Sequence, residues 1–268
     1  MSEDKFDGRV QKVNFKRFVE GGAKNSFGLV PVQRKIDIFI NGERAFGMSC
    51  LPFDLESLAV GFLLTEGFIV DKDELASIKV EKSDEAIKVL ASIPDLKIEN
   101  ISGKLRFSTG CGRAIGVDDI QSILDCKKPY NLALQVKSGK ILELMGEFLR
   151  SSEFHKEVGG VHSAALSFGE KLDYFADDIS RHNAVDRVIG QAFMDGKDIA
   201  SAVLLTTGRL TFDMVTKAAR VRIPIVVSFL SATYQAIELA KKFHITLCAR
   251  CRAKQMDVYT CDWRIVIP

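Results

Sequence analysis

"ASAVLLTTGRLTFDMVTKAARVRIPIVVSF", residues 200–229, is the stretch that decides the fold. Its two ends, "ASAVLLTTG" and "IPIVVSF", are short apolar runs bounded by polar residues, a pattern typical of buried strands. The segment between them, "LTFDMVTKAARVR", has the period of a helix. A strand, a helix and a strand in this order predict two parallel strands joined by a helical crossover.

The same alternation continues on both sides of this unit. The strand-like runs "LDYFADD" and "HITLCAR" are separated from it by "SRHNAVDRVIGQAFMDG" and "SATYQAIELAKKF", which both have a helical period. A further helix, "SGKILELMGEFLR", carries one apolar stripe and has Ser138 placed to cap it. We therefore predict an α/β fold with a mostly parallel sheet, covered by helices on both faces.

The chain upstream of residue 130 has a different pattern, which predicts an α+β part. Ile36, Ile38 and Ile40 alternate with Lys35, Asp37 and Phe39, and Asn41-Gly42 follows them as a hairpin signal. Residues 86–93 and 104–107 are also strand-like. "FDLESLAVGFLLTEGF" predicts a helix with Asp54 as its cap and a stop at Gly67. The predicted segments are an irregular polar segment at 1–27, a β-rich domain at 28–130 and an α/β domain at 131–268.

Charge and cysteine content narrow the class of protein. The formal net charge of the 268-residue chain is +2, which argues against general nucleic-acid binding. Residues 206–268, however, carry 10 Lys and Arg against 4 Asp and Glu, a balance of +6 that suits a small anionic ligand. The sequence has no signal-peptide core and no apolar run near about 18 residues, and its six cysteines are too few for a disulfide framework. We therefore expect a cytoplasmic protein with reduced thiols and no membrane span.

One cysteine lies in a setting that is unusual for a structural thiol. Cys111, in "RFSTGCGRAIGVDD" at residues 106–119, has a glycine on each side and polar neighbours beyond them. A structural cysteine packs among apolar residues, whereas Arg113 and a helix predicted at 118–126 would favour the thiolate. The pattern indicates a reactive thiol, and the competing interpretation is an incidental surface cysteine.

Two of the predicted strands adjoin residues with binding chemistry. His162 follows two glycines in "GGVHSAA" and fits an acid–base group, a metal ligand or a structural histidine. Gly208 and Arg209 lie between a strand and a helix, where α/β proteins present backbone N–H groups and a guanidinium to phosphate. The segment is not a Walker motif, since it has no Gly-Lys-Ser/Thr.

The helix that begins in "DDISRHNAVDRVIG" is a further candidate, because Ser180 is placed to cap it. Its first turn carries three polar side chains: Arg181, His182 and Asn183. Such a helix start is a natural site for an anion, although a solvent-facing helix start would look the same. We expect Asp186 and Arg187 to partner only one another or water.

The segment "LCARCRAKQMDVYT" is the most basic candidate. Residues 250–254 include Arg250, Arg252, Ala253 and Lys254, which predict a phosphate site or a solvated basic edge. Cys248 and Cys251 have a metal-like spacing, but no second ligand pair is evident, and residues three apart on a strand point to opposite faces. We expect no metal site.

Taken together, these segments resemble the FdhD family, the formate dehydrogenase accessory sulfurtransferases. The resemblance spans about residues 29–260 and rests on "STGCG", "GGVHSAAL", "DDISRHNAVDRVIG" and "MDVYT" in family order. It implies a dimeric cytoplasmic sulfur carrier that takes persulfide sulfur from a cysteine desulfurase on Cys111. The sulfur would pass to the molybdenum cofactor, bis-molybdopterin guanine dinucleotide, before its insertion into formate dehydrogenase. The C-terminal half would be similar in fold to cytidine deaminases.

The resemblance also implies a site and shows two departures from it. The expected cofactor-binding residues are His162, Arg181, His182, Asn183, Gly208, Arg209, Arg250, Arg252, Ala253 and Lys254. Ala114 stands where family loops often carry a second cysteine, and Arg250 where an aromatic residue is usual. A non-catalytic chaperone for a guanine dinucleotide, with Cys111 idle, is the alternative function. A zinc deaminase is disfavoured, because Ala164 replaces the glutamate that such enzymes carry two residues after the histidine.

Overall fold

The computed structural model describes residues 3–83, 86–96, 131–252 and 254–267. Its helices are α1 (Leu55–Thr65), α2 (Ser138–Ser151), α3 (Glu153–Glu157), α4 (Arg181–Met194), α5 (Phe212–Arg220) and α6 (Tyr234–Lys242). Its strands are β1 (Val10–Val19), β2 (Gly22–Pro31), β3 (Arg34–Ile40), β4 (Glu43–Cys50), β5 (Ser77–Lys82), β6 (Ile87–Ser92), β7 (Val136–Lys137), β8 (His162–Ser167), β9 (Tyr174–Asp178), β10 (Val203–Thr206), β11 (Ile225–Ser228), β12 (Thr246–Arg252), β13 (Gln255–Thr260) and β14 (Ile265–Val266). The Cys111 loop, the strand predicted at 104–107 and the helix predicted at 118–126 lie outside the described residues.

The central sheet has six strands in the order β13-β12-β11-β10-β8-β9. The predicted crossovers are present, since β10, β11 and β12 run parallel and are joined by α5 and α6. The prediction of a mostly parallel sheet is wrong, because β8 pairs antiparallel with both β9 and β10, and β13 pairs antiparallel with β12. Hairpins extend this sheet at both edges, and hairpin strands are antiparallel. The sheet is therefore mixed.

Helices cover both faces of this sheet, as the sequence predicts. Leu204, Val226 and Leu247 are buried on one face, in a cluster with apolar residues of α1, α4, α5 and α6. Leu205 and Val227 are buried on the opposite face against α2. In the part of the chain that the structure describes, no helix is long and apolar enough to cross a membrane.

A four-stranded sheet, in the order β4-β3-β6-β5, is formed by the strands immediately before and after α1. The hairpin predicted at Asn41-Gly42 is confirmed, and both turn residues have positive φ, 51° and 88°. Helix α1 packs between this sheet and α4, so that one apolar cluster runs from β3 to the central sheet. The two helices approach closely at Gly61 and Gly190, where a Cβ on either residue would collide with the other helix's backbone.

The prediction that residues 1–27 are irregular is wrong. β1 and β2 form an antiparallel hairpin with ten paired positions, from Val10 opposite Pro31 to Val19 opposite Gly22. Only the base of the hairpin is buried, against Phe6, Leu51 and Phe154. The remaining positions are largely exposed, so the sequence there lacks the apolar alternation that marks a half-buried strand.

The predicted caps occupy helix starts without making the expected side-chain bonds. Asp54 precedes α1 with a left-handed backbone (φ 42°), and its carboxylate accepts a hydrogen bond from Gln191 instead. Ser180 precedes α4 but forms no capping bond, and Ser138 is already the first residue of α2. Helix α1 ends as predicted before Gly67, whose φ is +74°.

Candidate functional site

Most of the predicted binding residues lie at one edge of the central sheet. The carboxyl ends of β9, β10, β11 and β12 and the amino ends of β8 and β13 meet there, because of the strand directions. This edge carries His162 at the start of β8, Gly208 and Arg209 after β10, and the first turn of α4 after β9. The β12–β13 hairpin, with Arg250, Arg252 and Lys254, lies further along the same edge. In mixed and parallel sheets such an edge is the usual place for a ligand.

Gly208 lies directly against the Arg181 side chain. A Cβ on Gly208 would lie 2.8 Å from Cδ and 2.9 Å from Cβ of Arg181, so only glycine lets the turn approach that side chain. The turn is fixed on both sides, since the Gly208 amide donates to Thr206 Oγ1 (3.0 Å) and its carbonyl accepts from Ser228 Oγ (2.6 Å). The arrangement holds Arg181 beside the loop that carries Arg209.

His162 is held on the other side of this turn. Its Nδ1 lies 3.5 Å from Thr207 Oγ1, which also accepts a hydrogen bond from the Ser163 amide at 3.0 Å. Partial burial lowers the pKa of His162, and the positive charges of Arg181, His155 and Arg209 lower it further. At neutral pH His162 is therefore an uncharged imidazole, which can donate or accept a hydrogen bond.

His182, in the first turn of α4, is uncharged for the same reasons. Burial, followed by the charges of Lys217 and Arg181, lowers its pKa to about 3. Its Nε2 is buried and 3.9 Å from Asp213 Oδ2, too far for a hydrogen bond. Burial is the main cause of the lowered pKa at both histidines, and the positive charges around them lower it further.

Three buried polar atoms of this site have no hydrogen-bond partner in the described part of the chain: Arg181 Nε, His182 Nε2 and Thr211 Oγ1. Unsatisfied buried polar atoms are costly and uncommon in native proteins, and they often mark a place for a ligand or ordered water. Arg209 follows the same turn, is exposed and forms no ion pair with another described residue. These groups together suit an anionic, hydrogen-bonding ligand.

The basic residues of the β12–β13 hairpin differ from one another. The guanidinium of Arg252 lies 3.5 Å from the centre of the Phe229 ring and donates to the Phe229 and Cys251 carbonyls. Arg250 is paired with Asp257, which raises its pKa, whereas Lys254 is exposed. Ala253 lies outside the described residues.

Asn183 has a different environment from its two neighbours in the α4 turn. Its side-chain amide is buried and donates to the Ser49 carbonyl (2.9 Å) and to Asp178 Oδ1 (3.0 Å). Both donor positions are therefore occupied within the protein. Asn183 therefore connects α4 to β4, the strand that contains Ser49.

The expectation that Asp186 and Arg187 partner only one another or water is wrong. Arg187 is fully buried, donates to Asp178 Oδ2 (2.8 Å) and to the carbonyls of Leu51, Phe53 and Asp54, and stacks on the Phe53 ring. Asp186 accepts from Lys217 Nζ at 3.0 Å. Side chains of adjacent residues point to different sides of the helix, and each reaches a different neighbour.

A buried charge network that the sequence analysis missed lies behind the first turn of α4. Lys217 of α5 donates to Asp186, to Glu66 Oε1 (3.0 Å) and to Thr65 Oγ1 (2.9 Å), and so joins α1, α4 and α5. The same ammonium contributes to the low pKa of His182. Sequence reasoning also missed Thr211 and Phe229, since neither belongs to a motif beyond following a predicted strand.

The expected orientation of Cys248 and Cys251 is also wrong. Both side chains are buried in the apolar cluster beneath α2, on one face of the sheet. A bulge between Ala249 and Arg252, with Arg250 at φ 49°, shifts the strand register and turns Cys251 to the face of Cys248. Burial raises the pKa of both thiols, to about 12 and about 11. Across the described ranges, no cluster of three or more His, Cys, Asp and Glu residues has metal-binding geometry.

Comparisons with known proteins agree with this architecture. The FdhD/NarQ family profile matches residues 31–266. The sulfur carrier protein FdhD of Wolinella succinogenes is 34% identical over 233 residues, which cover 87% of this chain and 81% of that protein. The protein of the same name from Listeria monocytogenes (serotype 4b) is 28% identical over 254 residues, 94% of this chain and 97% of its own.

A solved structure has a similar fold. It is the crystal structure of a protein from Desulfotalea psychrophila described as a formate dehydrogenase accessory protein. The TM-score is 0.74 at 24% identity, and the alignment covers 96% of this chain and 99% of the other. Because the family profile covers most of the sequence and a relative above 30% identity covers 87% of it, the chain belongs to the FdhD/NarQ family.

Proposed function

We propose that this protein is a sulfur carrier that delivers persulfide sulfur from Cys111 to a molybdenum cofactor bound at the sheet edge. The observation that carries the proposal is the electropositive, partly unsatisfied cluster of His162, Arg181, His182 and Arg209 around Gly208. Membership of a family whose relatives are named sulfur carrier proteins supports it independently.

The chemistry of the cluster fits bis-molybdopterin guanine dinucleotide as the acceptor, written here as a substrate. Its phosphates match guanidinium groups, which form paired hydrogen bonds to such oxygens and remain charged. The two neutral histidines add hydrogen-bonding groups without placing further charges next to Arg181. Arg252, stacked on Phe229, and Lys254 extend the positive surface along the edge.

Sulfur transfer requires two displacements at Cys111, which itself lies outside the described residues. In the first, the Cys111 thiolate attacks the outer sulfur of a cysteine desulfurase persulfide, and the desulfurase cysteine leaves as a thiolate. In the second, the outer sulfur of the Cys111 persulfide would bond to the reduced metal of the acceptor substrate, which supplies the electron pair that breaks the S–S bond, and Cys111 would leave as a thiolate. We propose formate dehydrogenase as the client, with the carrier acting as a homodimer in the cytoplasm.

Intact-protein mass spectrometry tests this function. Wild type, Cys111→Ala and the matched control Cys261→Ala are incubated with a cysteine desulfurase and free cysteine. We expect a reducible gain of one sulfur atom on wild type and on the control, and none on Cys111→Ala. A gain that persists in Cys111→Ala would contradict the assignment. No gain on wild type, with the desulfurase active on another acceptor, would favour a guanine-dinucleotide chaperone with an idle Cys111.

A further inference from the structure

The hairpin formed by β1 and β2, residues 10–31, is exposed along most of both strands, and we refer to it as the ribbon. It forms a two-stranded sheet of its own, and no further strand of the described residues pairs with either edge. Its base is fixed by Val10 and Leu29, which pack on Phe6 and Phe154. An isolated two-stranded hairpin is at best marginally stable in water, so the outer part of the ribbon gains little from the fold.

Large aromatic side chains lie on this outer part. Phe18 is 76% exposed and Phe27 63% exposed, although phenylalanine is usually buried. The strand register places both rings on the same face of the ribbon, because Phe18 pairs with Ala23 and Asn14 pairs with Phe27. The two rings lie four positions apart along the ribbon, so this face presents two separate exposed aromatic side chains, a residue type that is enriched at protein interfaces.

The ribbon is also basic. It carries Lys12, Lys16, Arg17 and Lys24 against the single acid Glu20, a net charge of +3. Two of the cations lie directly on aromatic rings, with Lys12 Nζ 4.3 Å from the Phe27 centroid and the Arg17 guanidinium 5.3 Å from that of Phe15. A partner that covers these rings must therefore also accept positive charge.

The chemistry of the ribbon selects among possible occupants. Two ribbons packed on one another would bring two charges of +3 together, which disfavours a second copy at this surface. The cations are divided between the two faces, Lys12 and Lys16 on one and Arg17 and Lys24 on the other, so neither face offers a continuous track for phosphates. An acidic protein surface with an apolar cleft satisfies both the rings and the charge.

The ribbon is connected to the candidate site. Pro31, at its base, lies against Gly160, where an added Cβ would be 3.3 Å from Pro31 Cγ. Gly160 is two residues before His162, so the base of the ribbon lies next to the sheet edge, and Phe27 and Phe18 lie further out along its strands. We propose that the ribbon is the docking surface for an acidic surface of a partner protein in sulfur transfer, with Phe18 and Phe27 as its anchors. This proposal rests on the proposed function for its choice of partners.

Purified cysteine desulfurase and purified formate dehydrogenase are the probes for a binding experiment. Each is titrated by biolayer interferometry against wild type, Phe18→Ser/Phe27→Ser, Lys16→Glu and the control Tyr234→Ser, whose side chain is 70% exposed elsewhere. We expect at least one probe to bind, with Kd raised about tenfold or more by the double variant. We expect Lys16→Glu to slow association and reduce its salt dependence, and the control to change nothing. Unchanged circular dichroism verifies folding.

The remaining outcomes would overturn the proposal. Binding of neither probe to wild type would remove the partner, and equal binding by the double variant would remove the anchors. A change from dimer to monomer in the double variant, by light scattering, would assign the ribbon to a second copy.

Loading of Cys111 from inorganic polysulfide needs no protein donor and should persist in every ribbon variant. Failure of that loading in wild type would count against the proposed function and leave the docking result to be judged on binding alone.

Discussion

The contact between α1 and α4 provides a sharp test of the packing on which the site depends. The two helices cross at Gly61 and Gly190, and each glycine faces the backbone of the other helix. A Cβ on Gly61 would lie 2.5 Å from the Asp186 carbonyl carbon, and one on Gly190 would lie 2.8 Å from the Ser57 carbonyl carbon. Because the obstacle is backbone, no side chain can rotate away to make room.

The expected cost of Gly61→Ala follows from this geometry. An ordinary contact begins at 3.4 Å, so the helices must separate by at least about 0.9 Å, the difference from 2.5 Å. Overpacking a core costs about 1–3 kcal/mol where side chains can adjust and more where they cannot. The intrinsic preference of a helix for alanine returns at most about 1 kcal/mol. We expect Gly61→Ala to lower the free energy of unfolding by about 3 kcal/mol or more.

Urea unfolding followed by circular dichroism measures this difference. Gly139→Ala is the matched control, because Gly139 is also helical and nothing lies within 4 Å of the added Cβ. The control should be unchanged or more stable by up to about 1 kcal/mol. If Gly61→Ala were as stable as Gly139→Ala, the close crossing of the two helices would be wrong.

Two further substitutions separate stability from ligand binding. Lys217→Met removes the ammonium that pairs with buried Asp186, while Glu66 keeps Arg220 at 3.7 Å, and should cost about 3–5 kcal/mol in urea unfolding, whereas Lys241→Met, in an exposed pair, should cost under about 1 kcal/mol; similar costs would refute the buried network. Gly208→Ala displaces Arg181 and should weaken binding of guanosine diphosphate about tenfold in calorimetry; it should also lower Tm, because Arg181 Cβ cannot rotate away from the added methyl, so affinity is compared well below the Tm of the variant. Unchanged affinity would remove Arg181 from the site.

The sequence was sufficient to predict the crossovers of the sheet and the edge to which most of the proposed binding residues belong. The apolar runs at β10, β11 and β12 are short and continuous, which only strands buried on both faces require, and the carboxyl ends of such strands meet at one edge. The strand directions at the sheet margins were not predictable in the same way. The side chains of a strand such as β8 or β13 do not specify its direction, which depends on the connection before it.

The ribbon was missed for a different physical reason. Periodicity reports burial, and between Gln11 and Val30 the ribbon buries almost nothing. Its ten-pair ladder is formed by the backbone, and the backbone leaves little trace in the order of the side chains. The exposed Phe18 and Phe27 therefore read as irregular polar sequence with scattered aromatics, although they share one face in the structure.

The segment "RHNAVDRVIG" shows that motif and function need not coincide. Asn183, Asp186 and Gly190 are spaced by three and four residues, the spacing of one helix face. Asn183 is buried against β4, and Asp186 and Gly190 are buried against α1. The first-turn residues Arg181 and His182 remain at the sheet edge. Most of the segment therefore fixes the position of α4, and only its start has groups available to a ligand. A substitution on the buried face would displace the first turn as well, so loss of activity there identifies a binding residue only when the free energy of unfolding is unchanged.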